Sequence, residues 1–437
     1  MRYRYRLEER REKRLTLIRL IRKLALFALL LIALYTLFLF FGGRPQLSEE
    51  SLRSLSLIAK EKNYPLSFDR PVREIRLYVE EEGKRREIYK ADFPKGVKEI
   101  NLVLTPKELN LRDGEISLVL EVSSGFLSKR TYFLKALVDT APPRVRIVAY
   151  TSSPMLGGSA AIKVQTEEGA EVYVAQGGYK YPLHSTGKGY YFGLFPIRLE
   201  GEGYILVAKD MAGNEYSQAL GLRRRVPRFR VDKILIDDNF INKAIYPLLG
   251  QEGKGLEALE AFKRINEAWR ERDVKRIEEI GKKSEPRILW EGAFIQLPRS
   301  KVFATYGDIR HYYYKDQKVS ESRHMGIDLA SLENSPVPAS NSGVVVFVGD
   351  VGIYGNMVII DHGMGLMSLY GHLSEVFVKE GQFVKKGEVI GKTGKTGLAL
   401  GDHLHFGLLL HGYEVNPIEW LDPKWITNNL QAVLEAQ

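Results

Sequence analysis

Three short stretches concentrate side chains able to hold a metal and move protons: HMGID at 324–328, GHL at 371–373 and HLH at 403–405. Six of the eight histidines fall between residues 324 and 411, so the imidazoles are gathered in one region of the chain. There is no cysteine, which excludes disulfides and thiolate sites; any metal must be held by His, Asp or Glu. A catalytic zinc takes three protein ligands and keeps a fourth position open. On a straight strand, residues four apart would lie about 13 Å from one another. His324 and Asp328 can therefore share an ion only if the chain bends between them, and Gly326 permits a bend.

In GDHLHFGLLL (401–410) the side chains of a strand alternate, so Leu404, Phe406 and Leu408 share one face while His403 and His405 share the other. His405 can then close the set begun by His324 and Asp328. His403, about 6.7 Å along the same face, would face the reacting groups, and His372 is the natural second such residue. A zinc ion held in this way lowers the pKa of its water to about 7 and polarises a carbonyl. Neighbouring imidazoles can move protons or bind an oxyanion. The chain has no HExxH, so a helical site with a glutamate base is not expected.

The elements that must position these residues read as mainly β. Residues 285–425 are strand-like and rich in glycine. Upstream, period-two alternation in REIRLYVEE and EISLVLEV, separated by turn signals such as EEGK and RDGE, predicts a β-sandwich over 66–138. DTAPP at 139–143 and DMAGN at 210–214 resemble the opening and late turn of bacterial immunoglobulin-like modules, which implies a second β-sandwich over 139–226. Between it and the histidine-rich domain lies a helical arm, 236–283. There Leu256, Leu259, Phe262, Ile265 and Trp269 recur at three and four, the pattern of a helix packing one face. The same arm could instead act as a lid or partner-docking element.

The net charge of +10 does not point to nucleic acid, because it is local. Residues 1–23 carry ten Lys and Arg against three Glu, which leaves only +3 for the remaining chain. Immediately after them, LALFALLLIALYTLFLFF (24–41) has no charge in 18 residues. As a helix that run spans about 27 Å, close to the apolar thickness of a bilayer. It is too long for the core of a cleaved signal peptide and ends without a small-x-small cleavage pattern. The expectation is a transmembrane signal anchor with a basic cytoplasmic tail, 1–23, and an extracytoplasmic remainder, in the periplasm or on the cell-wall side.

Taken in order, HMGIDLA, YGNMVIIDHG, LYGHLS, VKEGQFVKKGEVIG, GDHLHFGL and VNPIEWL resemble the M23 metallopeptidases, the lysostaphin- and LytM-type peptidoglycan endopeptidases. The resemblance covers about 300–422. It implies an antiparallel-β zinc peptidase domain, one Zn2+ per chain and peptide crosslinks of peptidoglycan as substrate. Carried over by position, it makes His324, Asp328 and His405 the metal ligands and His372 and His403 the catalytic histidines. Asp402 before the final pair, and Asn334-Ser335 before Pro336-Val337, depart from the usual pattern but touch no implied ligand.

Two other readings compete. Some members of such families regulate or activate another cell-wall hydrolase, through a cell-envelope partner, with little activity of their own. VKEGQFVKKGEVIG also resembles lipoyl- and biotinyl-like domains, which with an anchor would suit a periplasmic adaptor scaffold; that reading gives no reason for the HxxxD and HLH residues. GKTGKTG at 391–397 is not a phosphate loop, since the glycine spacing fails and no helix is expected after it.

Overall fold

The computed structural model describes residues 2–60, 62–125, 128–201 and 203–437; the side chains of 1–13 and 39–42 lie outside that description. The chain divides into two compact units, 1–142 with 211–214, and 143–210 with 215–437.

The first unit begins with a helix, Arg2–Gly42, in which the side chains of 14–38 are exposed. Among the described residues no helix is long and apolar enough to cross a membrane. The run 24–41 expected to do so extends into side chains outside the description. A five-stranded sheet follows, in the order Leu57–Ala59, Lys129–Asp139, Gly114–Ser123, Lys62–Glu81, Lys84–Leu104. The first pair is parallel and the rest antiparallel. The two longest strands turn at Glu82 and Gly83, both left-handed, which is the two-residue hairpin that EEGK signalled. Tyr64, Leu66, Val72, Ile75, Leu77 and Val79 line one core with Leu118, Leu120 and Val122. A sandwich was expected here, and the hydrogen bonding gives a single sheet. Alternation tells which face is buried but not how many sheets share the core. Register shifts between Ser67 and Val72 and near Leu77 bend the long strands, so one sheet can wrap its own core. Asn214 Nδ2 donates to the Asp139 carbonyl at 3.1 Å, joining the two motifs that suggested an immunoglobulin-like module.

In the second unit, seven strands from Arg146–Tyr150 to Glu215–Ala219 form one continuous path. Tyr179–Gly187 is the pivot: its first half pairs with Glu171–Gln176 and its second half with Tyr190–Pro196. Residues of both halves, including Ile162, Val174, Phe195 and Leu206, share one core. The separate sheets of an immunoglobulin-like sandwich are thus replaced by a path through one shared strand.

The histidine-rich region is built on an eight-stranded antiparallel sheet. Its central order is Lys301–Ala304, Ile327–Ala330, Leu404–Leu410, Leu366–Gly371, Asn356–Gly363, Gly343–Asp350. Leu404–Leu410 is buried along its whole length, because both sheet faces are covered. Leu404, Phe406, Leu408 and Leu410 enter the core shared with Val358, Ile360 and Trp420. Leu409, on the face of His405, packs with Met367, Leu369 and Tyr354 beneath the helical segment. That segment is helical over 238–253 and 258–281 and presses Ile241, Ile245, Phe262, Ile265 and Ile277 onto this second face. Fully burying each such side chain contributes about 1.5–3 kcal/mol. The helices therefore complete the sheet, and the histidines occupy the part of the second face that the helices leave open.

Candidate metal centre and cleft

His324 follows a hairpin, Ile309–Tyr314 paired with Gln317–Arg323, and Asp328 lies in the next strand, Ile327–Ala330. Gly326 makes the bend between them: a Cβ there would sit 2.7 Å from the His405 ring and from the Phe406 carbonyl, so no larger residue fits. Asp328 is directly opposite His405 in the antiparallel pairing with Leu404–Leu410. The result is a small triangle. His324 Nε2 lies 3.0 Å from Asp328 Oδ1 and 3.1 Å from His405 Nδ1, and the last two atoms are 3.0 Å apart. All three residues are buried.

This triangle fits a small divalent cation. The edge of a tetrahedral zinc site with ligands at about 2.05 Å is about 3.3 Å, close to the separations seen. Protons alone satisfy it poorly. His324 Nδ1 lies 3.0 Å from the Thr305 carbonyl, which can only accept, so the proton is on Nδ1 and Nε2 presents a lone pair. Carboxylate Oδ1 is an acceptor as well. Burial by itself would raise the Asp328 carboxyl, but the imidazoles of His324 and His405 hold it well below the usual carboxylate range. Burial pushes the His405 imidazole down to about 4, so it is neutral at pH 7, the form that ligates.

His372 and His403 stand beside the triangle with ring centroids 4.7 Å apart. His372 follows the strand Leu366–Gly371 and has a left-handed backbone, φ +63°, a strained conformation for a residue with a side chain. Its Nδ1 bonds the Thr396 carbonyl at 2.8 Å, and His403 Nδ1 bonds the Gly401 carbonyl at 2.8 Å. Both rings are thus fixed by carbonyls on one loop, with Nε2 free as an acceptor. His403 Nε2 lies 3.7 Å from Asp328 Oδ1. Burial first, then the neighbouring imidazoles of His403 and His405, pushes His372 down to about 3.

Other residues complete the surroundings. Arg310 Nη2 donates to Asp328 Oδ2 at 3.1 Å, leaving Oδ1 to the triangle. Phe303 packs edge-on against His403 and Tyr354 against His405. Asn356 ties loops together: its Nδ2 donates to the Leu373 carbonyl and its N–H to Thr396 Oγ1. His362 is fully buried, bonded to the Ser342 carbonyl and Ser368 Oγ, and serves the core. His411 is partly buried and bonded to the Leu194 carbonyl. The carbonyls of Thr305, Thr396 and Gly401 carry no sequence signal, since every residue has one.

An antiparallel sheet that presents such a donor triangle, with two further imidazoles over it, defines a metallopeptidase-type domain. Residues 322–417 match the model of peptidase family M23, and this part of the chain is an M23 peptidase domain. Among curated proteins, it is 47% identical over 95 residues to the DD-carboxypeptidase/endopeptidase Mpg of Neisseria meningitidis serogroup B, covering 22% of each chain. It is 43% identical over 96 residues to the peptidoglycan DD-endopeptidase ShyA of Vibrio cholerae, again covering 22% of each. The chain thus spans about a fifth of the length of these relatives. The catalytic domain of the antimicrobial peptidase lysostaphin from Staphylococcus simulans is 30% identical, covering 30% of this chain and 98% of that one, with a TM-score of 0.26.

Proposed function

We propose that the protein is a membrane-anchored, zinc-dependent endopeptidase that hydrolyses peptide crosslinks of peptidoglycan. The observation that carries this reading is the buried triangle of His324, Asp328 and His405 with His372 and His403 facing it. The three triangle residues would hold the ion, which when bound supplies Lewis-acid polarisation of the scissile carbonyl and lowers the pKa of water. The chain's own residues do the rest. With both Nδ1 protons committed to carbonyls, the Nε2 atoms of His372 and His403 accept from a water and orient it. The imidazolium formed on proton transfer then donates to the oxyanion and finally to the leaving amine. Supporting the substrate, the similar protein ShyA is named a peptidoglycan DD-endopeptidase and Mpg a DD-carboxypeptidase/endopeptidase.

The helix Arg2–Gly42 is the proposed anchor, with the uncharged run 24–41 in the cytoplasmic membrane, the basic residues 1–23 inside and the peptidase domain outside. Extraction of cell membranes at alkaline pH should leave the full chain in the pellet; release into the wash would remove the anchor from the reading.

One experiment tests the hydrolase. The purified chain is assayed for zinc content and incubated with crosslinked muropeptides, and the products are weighed by mass spectrometry. About one zinc per chain and addition of one water across the crosslink are expected. Zinc without hydrolysis would instead favour a regulator, and no zinc a scaffold.

A further inference from the structure

The cleft that holds the histidines encloses ≈ 850 Å³, and its charged lining is unbalanced. Its cations are Arg230, Lys233, Arg270, Arg310 and Arg323; its carboxylates are Asp232, Asp328 and Asp402. Each carboxylate already has partners. Asp232 pairs with Arg230 at 2.8 Å; Asp402 accepts from the Asn334 N–H and Thr393 Oγ1, both uncharged, and so keeps its own charge at the loop wall of the cleft. Asp328 is shared between the triangle and Arg310. Arg230 is neutralised further by buried Asp308 at 2.9 Å.

The other cations keep their charge. Arg270 bonds Asn266, Arg323 bonds the Gly307 carbonyl, and Lys233 lies over the Tyr313 ring, all uncharged partners. The carboxyl of Glu414, near enough to Arg270 to feel its charge, is pushed up to about 8 by burial and does not cancel it at pH 7. Arg310 reaches closest to the reacting centre. Among the described residues its guanidinium makes one hydrogen bond, to Asp328 Oδ2, yet it presents five N–H donors in a planar fork. A carboxylate entering the cleft could take the remaining donors. A crosslink of neutral residues, such as a run of glycines, would leave them unpaired.

We propose that this cleft selects peptides carrying a free carboxylate close to the scissile bond, and that Arg310 is the residue that pairs with it. This rests on the hydrolase reading and names its substrate class. The test uses two synthetic crosslinked peptides that differ only in having that carboxylate free or as a carboxamide. Both their cleavage by the zinc-loaded full chain and the binding of their product fragments are measured. A charge-assisted pair predicts that the acid is preferred about tenfold or more in kcat/KM and in fragment affinity. In Arg310→Gln the preference should collapse to about twofold or less on the same grounds.

If the wild-type protein treats acid and amide alike, the proposal falls. It falls equally if Arg310→Gln keeps the preference, or if that variant loses both substrates in proportion along with its zinc, the behaviour of a residue that only positions Asp328. Should the variant not fold, salt provides the second measurement. The acid's advantage should shrink between low and high ionic strength, and an advantage independent of salt would overturn the assignment. Fragment binding does not need turnover, so absence of all cleavage would sink the hydrolase reading while the binding arm still decides this one.

Discussion

Asp328 and His405 face each other across two antiparallel strands, with Oδ1 and Nδ1 3.0 Å apart. Their neighbours in the pairing, Ile327 with Phe406 and Leu329 with Leu404, point into the core on the other face. A register slip by one residue would expose that apolar set and separate the donors at once, so core packing fixes the geometry of the triangle. His405→Ala is expected to remove zinc and activity together while leaving far-UV circular dichroism unchanged. Asp328→Asn, which keeps the shape and loses the charge, should also bind zinc far more weakly in a chelator competition. Full zinc occupancy in either variant would show that the ion, if bound, sits elsewhere.

His372 and His403 should behave differently, because neither belongs to the triangle. His372→Ala is expected to retain zinc and lose rate by roughly 10²–10⁴, the range for removing a proton-transfer group. The backbone strain at φ +63° is already paid by histidine, so alanine adds little of its own. Cleavage at the parental rate would remove His372 from the mechanism.

Gly355 controls the same histidine from a distance. It is left-handed, and a Cβ there would lie 2.4 Å from the Thr396 carbonyl carbon and 2.6 Å from the Gly397 nitrogen. The carbonyl of Thr396 is what holds His372 Nδ1. Gly355→Ala should therefore displace that loop, destabilise the domain by about 1–3 kcal/mol and cut kcat while zinc content stays near one. If kcat and stability are both unchanged, the loop does not hold His372 in its working orientation.

The triangle was legible in the sequence because its chemistry is local and rare: a glycine between His324 and Asp328, and an alternating His403-Leu404-His405 in an apolar run. The same alternation placed Phe406 and Leu408 in the core. What it could not show was the partner of each ring, since Thr305, Thr396 and Gly401 act through backbone carbonyls. Nothing in RHYYY shows what the Arg310 guanidinium touches; its contact with Asp328 depends on where the strand Ile309–Tyr314 lies relative to the strand Ile327–Ala330. Sheet count was the other gap. Ile75, Leu77 and Val79 alternate as they would in a sandwich, and only the more distant pairings, Lys62–Glu81 with Gly114–Ser123 and Leu57–Ala59 with Lys129–Asp139, reveal a single sheet.

His362 offers a test of burial that is independent of the metal centre. Its ring is wholly inside the domain, packed edge-on against Phe294, with Nδ1 on the Ser342 carbonyl and Nε2 on Ser368 Oγ, and burial pushes it down to about 4 from 6.5. Between those two values the unfolded chain binds a proton that the folded chain does not. Its contribution is therefore fully present above pH 6.5 and is lost as pH falls toward 4, about 3 kcal/mol over the window. In His362→Gln the domain should be less stable at pH 7, because the ring's packing is lost. Its stability should fall less steeply with acid, by up to about 1.4 kcal/mol per pH unit. Urea unfolding of both proteins from pH 7 to pH 4 reads that slope directly. Parallel slopes would mean that His362 takes up its proton in the folded state as readily as in the unfolded one, and that the site is not sealed from water.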